Sequence, residues 1–411
     1  MKLWACWLLC ALGIVFPFSV AGSNILLGST LAVGIVSGIW WTGVRHMWTE
    51  YRGMSIAMLT YWGLMLIGLA WSSDRIWGLH VLGHQWFWLA VPVVVTALGQ
   101  QCWRERFLAF LSLGLMLHLG YCVLQKFSYV HLAYPGSSAD DATGFVGHIS
   151  FGFIYGIWAG WLLHWGWKQS GWKRRSAWLL AAWAWVMIFA AQGRGGYIVA
   201  LAIMVVVLWR HWIAAGWRRV VLPLALVAVM IGVLAAGPGK ERLILTWNNM
   251  TGILHGDVNM MSSAGVRWVL LIGAVDAWKN HPILGVGTGG YPNAAEASMR
   301  AHPGLMISGS SGIPIRVVHP HSMYLFSLAR WGLFGLAVYL SLVATWVRTG
   351  WKIPWDQFES PIMALAGIAL ALDGLFAPTL EQYHSGVMLV MLLGLQLAAA
   401  RTAHIGTHDG G

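Results

Sequence analysis

The chain has 411 residues, of which 58% are hydrophobic and 9% charged, with 29 tryptophans and a formal net charge of +11. A soluble domain carries about 25% charged residues. This chain cannot cover a water-facing surface with polar groups and reads as an integral membrane protein. Its basic excess invites a polyanion as partner, but the placement of that charge along the chain excludes nucleic acid.

Runs of about 18 or more apolar residues read as membrane helices. In chain order they fall at 4–21, 24–44, 54–72, 77–98, 106–126, 145–165, 176–192, 195–213, 219–237, 322–346, 360–378 and 383–400. The first, within "WACWLLCALGIVFPFSVAGS", ends in small residues that suit signal cleavage. Its apolar stretch is long for a signal and further spans follow, so it is read as a retained helix. With the N-terminus inside, five short loops on that side hold Arg45, Arg52, Arg104, Arg106, Lys168, Lys173, Arg174, Arg175, Arg210, Arg218, Arg219, Arg348 and Lys352. The short loops opposite hold only Arg75, Lys126 and Arg194. This is the positive-inside bias, and it places both termini in the cytoplasm. The basic excess is then topological, and the expected surroundings are membrane lipids, not nucleic acid. Cys6, Cys10, Cys102 and Cys122 show no metal-type spacing, and none lies in a long outer loop.

The expected fold class is an all-α polytopic membrane protein of about 12 transmembrane helices, with a large helical periplasmic loop before span 10. Residues 1–237 would hold helices 1–9, 238–321 the loop, and 322–411 helices 10–12 with a cytoplasmic tail. Within the loop, "GKERLILTWNNMTGILHG" is amphipathic and suits a membrane surface. "SSAGVRWVLLIGAVDAWKNHP" opens on serines that can cap a helix and stops before Pro282. "ILGVGTGGYP" reads as a glycine-rich turn, "NAAEASMRAHPG" as a short helix and "MISGSSGIPIR" as a flexible stretch.

Three residues carry the expected chemistry. Arg194 lies in "AAQGRGGYIV", at the N-terminal end of span eight, where the helix dipole favours anions and flanking glycines admit a close ligand. Arg267 sits near the start of its loop helix, where a cation opposes the dipole and so suggests an anionic partner. His321 opens span ten in "HPHSMYLF", at an aqueous boundary, where an imidazole is a natural proton acceptor near neutral pH. His319, Arg316 and Tyr324 are further substrate-binding candidates, although Tyr324 could equally be an interface anchor. Arg330 and Asp373 lie within spans and are expected to be structural, with each other as one possible pair. Arg330 would lie about 13 Å deeper than His321 along a straight helix. Glu381 could orient a histidine or bind an acceptor. Asp140 and Asp141 are adjacent carboxylates that only weakly suggest a cation.

Two outward arginines and a histidine beside an apolar bundle suit one reaction. Arginine forks bind phosphate oxygens bidentately and would stabilise a departing lipid diphosphate. The histidine would take the proton of an incoming hydroxyl or orient it. The result is glycosyl transfer by direct displacement, with inversion and with neither cofactor nor metal demanded.

The segments "QGRGGYIV", "SSAGVRWVLLIGAVDAWKNHPILGVGTGGY" and "HPHSMYLFSLARWGLFGL", in this order, resemble the O-antigen ligase and polymerase superfamily of bacterial membrane glycosyltransferases. The resemblance implies a GT-C-like fold in the inner membrane, with a periplasmic active site. It implies a donor glycan on undecaprenyl diphosphate and a lipid A–core acceptor. The family's arginine roles fall on Arg194 and Arg267 and its essential histidine on His321. The family usually follows that histidine with asparagine, where this chain has Ser322, and often has an acidic residue where Arg330 stands. Polymerase is the alternative within the superfamily, and protein glycosylation a remoter one. A lipid-linked oligosaccharide flippase is the alternative of another class, and it would place charge through the full depth of the bundle.

Overall fold

The computed structural model describes residues 1–132, 134, 135, 137–212, 244, 251, 263–302 and 316–405. Every regular element among them is helical. In order these are α1 (Lys2–Val15), α2 (Val20–Val36), α3 (Ile39–Glu50), α4 (Arg52–Ile67), α5 (Arg75–His84), a 3-10 turn (Trp86–Ala90), α6 (Val91–Ala97), α7 (Gln101–Lys126), α8 (His148–Trp167), α9 (Gly171–Ala190) and α10 (Arg194–Trp212). Then come α11 (Ser263–Asn280), α12 (Tyr291–Ala301), α13 (Met323–Lys352), α14 (Ile362–Asp373) and α15 (Tyr383–Ile405). The expected ninth span, nearly all of the amphipathic stretch and most of "MISGSSGIPIR" lie outside the described residues.

Three stretches among the described residues, 75–97, 101–126 and 323–352, are long and apolar enough to cross a membrane, the first and last of them divided within. A fourth would be α2 with α3, bent by 86°. The bend falls at Ser37–Gly38, where Gly38 takes a left-handed φ of 76°. Four further helices are apolar but shorter. The apolar runs therefore fold as helices where expected, but several are interrupted. The expected span at 77–98 is present as the stretch 75–97, built of three consecutive helical pieces.

Arg104 departs from its expected place in a loop. It lies in the first turn of α7, almost fully buried. Its Nε donates to Glu359 Oε1 at 2.7 Å, and its Nη1 donates to the carbonyls of Leu98 and Gly99 at 3.4 and 3.2 Å. A cation that the charge count assigns to the surface thus joins α7 to the segment before α14. Burial lifts the Glu359 carboxyl above the ordinary carboxylate range, against the opposing pull of Arg104.

The feature that organises the chain is inside α13. Trp331 (φ −130°, ψ 16°) and Gly332 (φ 64°, ψ −157°) are not helical, so α13 is two helices joined at a break. A straight helix would hold residues 324 and 339 about 22 Å apart. Instead the Tyr324 and Tyr339 rings meet edge to face at 5.0 Å between centroids. The chain therefore turns back sharply at the break. This replaces the expected single helix and the expected 13 Å descent from His321 to Arg330.

The break strands backbone groups on both sides, and the glycine-rich turn after α11 satisfies them. Val286 N–H donates to the Ala329 carbonyl at 3.0 Å, and Gly287 N–H to that of Arg330 at 2.8 Å. Leu333 N–H donates to the Pro282 carbonyl at 2.9 Å. Trp331 Nε1 donates to Thr288 Oγ1 at 3.1 Å, and that hydroxyl donates to the Met65 carbonyl of α4 at 2.6 Å.

α13 contributes to two cores. Phe326 and Ala329 of the first half pack with Val269, Leu270, Tyr291 and Met299 of α11 and α12 in a small core. Trp331, Val338, Tyr339 and Trp346 join the main core of the bundle. The first half of α13 thus ties the helical cap to the bundle, since Met323 lies in the main core, and the second half builds the bundle.

Gly332 has no room for a side chain. A Cβ there would lie 2.2 Å from the Ile283 carbonyl oxygen, on a backbone with positive φ. Gly332→Ala should cost about 3 kcal/mol or more, through the clash and the strain together. Gly63 on α4 has nothing within 4 Å of a built Cβ, so Gly63→Ala should be neutral or stabilise by up to about 1 kcal/mol. Thermal unfolding of both variants in detergent tests this, and equal melting temperatures would refute it.

Candidate active site

The α8 and α10 helices meet at glycines. A Cβ on Gly152 would lie 2.2 Å from Gly196 Cα, so the backbones touch. One turn earlier, a Cβ on Gly193 would lie 2.5 Å from the His148 carbonyl oxygen. The "QGRGG" turn that leads into α10 at Arg194 is therefore pressed against the start of α8. Asp141 fixes it there: its Oδ1 accepts the Gln192 N–H at 2.8 Å, while Oδ2 lies 3.0 Å from His148 Nδ1. The adjacent aspartates were the weak cation candidate. In the structure Asp141 is committed to an imidazole and an amide instead. Among the described residues no group of three or more His, Cys, Asp or Glu is placed to hold a metal ion.

The loop between α14 and α15 links this corner to His321. Phe376 packs against Gly195, and the Ser150 hydroxyl donates to Gln382 at 3.1 Å. The Gly374 carbonyl accepts from Met323 N–H at 2.7 Å and from the Ser322 hydroxyl at 3.2 Å. Ser322 is also the N-cap of α13, accepting from Leu325 N–H. Where the resembling family carries an asparagine, this chain uses a short hydroxyl to cap the helix and to hold it to the loop.

His321 takes a φ of 52°, in the left-handed region that a residue with a Cβ seldom adopts. Its ring meets that of His319 edge to face at 4.5 Å. The Nδ1 atoms of both rings are buried without a hydrogen-bond partner among the described residues. Burial holds the His321 imidazole below its ordinary range, and Arg267 and His148 press it further in the same direction. Arg267, on α11, is exposed and close enough to act on His321 electrostatically. His319 is pushed down to about 4, by burial first and then by His321 and Arg330.

The structure thus gathers the Arg194 turn, Arg267, His319 and His321 at one end of the bundle. It turns the other candidates elsewhere. Tyr324 donates to the Ala371 carbonyl at 2.8 Å, within the fold of the broken helix. Arg316 donates to Asp74 at 2.9 Å and lies over the Trp77 ring at 5.2 Å. Asp74 also caps α5 by accepting the Trp77 N–H, so Arg316 anchors its segment to the α4–α5 corner.

Arg330 does not pair with Asp373, because the break carries it away from α14. It pairs with Glu381, and its guanidinium stacks 3.5 Å over the Phe326 ring. Asp373 instead accepts from the Thr379 hydroxyl at 2.7 Å. Glu381 is thereby engaged with Arg330 rather than with a histidine. The residue that sequence reasoning missed is His148. The available signal was a histidine opening an apolar helix, the same local pattern that marked His321.

Residues 179–340 match the family model described as O-antigen ligase. Over that stretch, less than half of the chain, the protein is similar to the O-antigen ligase/polymerase superfamily. The matched stretch runs from α9 into the second half of α13 and contains Arg194, Arg267 and His321. No curated protein matches the chain. The superfamily consists of membrane enzymes, in keeping with the apolar helices described above.

Two outcomes follow from this geometry. Glu381→Ala leaves Arg330 buried without its carboxylate and should cost about 3–5 kcal/mol, measured by thermal unfolding. An unchanged melting temperature would show the pair to be dispensable. The second concerns acid. Unfolded His319 binds a proton near the ordinary imidazole value of 6.5, whereas folded His319 does so only near 4. The unfolded state therefore binds more protons in that window, and stability falls as pH drops through it. His319→Gln should flatten that fall between about pH 6.5 and 4, and an identical pH profile would refute the assignment.

Proposed function

We propose that the chain is an O-antigen ligase. It transfers a polysaccharide from undecaprenyl diphosphate to a sugar hydroxyl of lipid A–core, at the periplasmic face of the bacterial inner membrane. The observation that carries this reading is the gathering of His321, Arg267 and the Arg194 turn at one end of the bundle, all within the stretch matched to the ligase family. The positive-inside count supports a periplasmic position for that end, with both termini in the cytoplasm. The reading retains about 12 spans and a periplasmic loop over residues 238–321.

In the proposed reaction the donor lipid enters from the bilayer with its tail against the apolar helices. Arg194 and Arg267 clamp the diphosphate and stabilise the charge that develops as it leaves. The acceptor hydroxyl, held by His321, attacks the anomeric carbon from the opposite side, and a single displacement inverts that carbon. A flippase is less well supported, because these candidate groups collect at one end and not along a path through the bundle. A polymerase shares the same physics and differs only in its acceptor.

The test is transfer by the full chain in lipid, with excess chelator present. It uses a glycan on undecaprenyl diphosphate as donor and purified lipid A–core as acceptor. Ligated product from the parent chain is expected. His321→Ala should lose about 100-fold or more in turnover. Arg194→Glu and Arg267→Glu should each abolish donor binding, whereas the lysine variants keep part of it. Lengthened lipid-linked glycan without ligation would make the chain a polymerase, and full turnover by His321→Ala would remove the histidine from the mechanism.

A further inference from the structure

His148 and Asp141 lie outside the stretch matched to the family, and the reaction proposed above does not use them. Their geometry is nevertheless that of a working pair. The Asp141 side chain is 7% exposed and that of His148 49%. A buried carboxylate therefore backs a half-open imidazole. The contact of 3.0 Å is to Nδ1, so Nδ1 carries the hydrogen. In the neutral ring this makes Nε2 the atom with a free lone pair. A proton arriving at Nε2 creates an imidazolium that the carboxylate stabilises in place. The other carboxylate oxygen holds the Gln192 amide, so the same residue sets the Arg194 turn and the imidazole relative to each other.

His321 has the opposite surroundings. The groups acting on it are Arg267 and His148, and among the described residues no carboxylate pairs with either histidine of the "HPH" motif. A charge formed on His321 would meet positive neighbours, so its ring suits contact with a neutral hydroxyl.

From this geometry we propose that His148 is the proton acceptor of the transfer, that Asp141 is its positioning residue, and that His321 positions the acceptor hydroxyl. This rests on the glycosyl-transfer reading above. As the acceptor oxygen bonds to the anomeric carbon, the bond from that carbon to the diphosphate oxygen breaks. The bonding pair leaves with the diphosphate, and the hydroxyl proton passes to His148 Nε2. Release of that proton to water returns the neutral ring.

The experiment uses the full chain in lipid with the same donor and acceptor, and compares His148→Ala, His148→Gln and Asp141→Asn. Glutamine can still donate to Asp141 and so preserves the local structure, but it cannot take the proton. Both His148 variants should lose about 100-fold or more in kcat, with donor KM within about threefold of the parent. Added imidazole should restore part of the activity of His148→Ala, which a purely structural role would not allow. Asp141→Asn should lose about tenfold or more in kcat. His148→Gln turning over at the parental rate would overturn the proposal and leave the ligase reading standing. A rise in donor KM without loss of kcat would overturn it too, since the pair would then only hold the Arg194 turn. A parent chain that transfers nothing would remove both readings together.

Discussion

A broken helix in an apolar setting has to satisfy the backbone groups it strands, because no water is there to do it. The break at Trp331–Gly332 meets this condition through a segment more than 40 residues upstream. The turn 282–287 supplies amides to the carbonyls of Ala329 and Arg330, and a carbonyl to the Leu333 amide. It must bring its own backbone up to the break, and its composition follows from that. Gly285 lies with φ 63° against the Arg330 carbonyl, and Gly287 with φ 84° against Ser72. Once the turn is docked, α11 and α12 on either side of it are fixed over the bundle. The cap is anchored through backbone and is not simply rested on the membrane helices.

Arg330 stands at the same break, and its position decides what else can be built there. A buried guanidinium needs a partner, and Glu381 supplies one from the loop between α14 and α15. That loop also receives the start of α13 at Gly374 and lays Phe376 on Gly195. One short loop therefore touches the broken helix and the Arg194 turn. The relative positions of the two depend on backbone contacts and small residues. Such supports lock geometry better than long side chains do, as the proposed alignment of two large substrates would require.

Much of this was legible in the sequence. Apolar runs announced the helices, and ionisable residues at their edges singled out Arg194, Arg267 and His321 as candidates, because a charge at such a place costs energy. The break was not legible. "ARWGLFG" continues a helical apolar pattern, and glycine is common in membrane helices. What makes Gly332 a corner is the carbonyl of Ile283, which only the fold brings near. For the same reason Arg330 was expected about 13 Å deeper than His321, at a depth where pairing with Asp373 would need a tilt. Arg316 was read as a substrate contact because its partner Asp74 is 242 residues away. The Asp141–His148 pair spans a loop whose shape the residue types do not dictate.

The two candidate histidines show what the fold adds to the sequence. Each precedes or opens an apolar helix, and as letters they are equivalent. His148 is given a buried carboxylate and an unstrained helical start. His321 is given positive neighbours and a left-handed backbone that glycine would occupy at less cost. Strain of this kind persists only where the surroundings over-determine it. The surroundings here are the Ser322 cap and the Met323–Gly374 hydrogen bond, which hold the helix start in place whatever side chain stands at 321. The backbone at 321 thus favours a residue with no side chain, and an imidazole stands there instead. The fold pays that cost at a position where the imidazole feels the Arg267 charge.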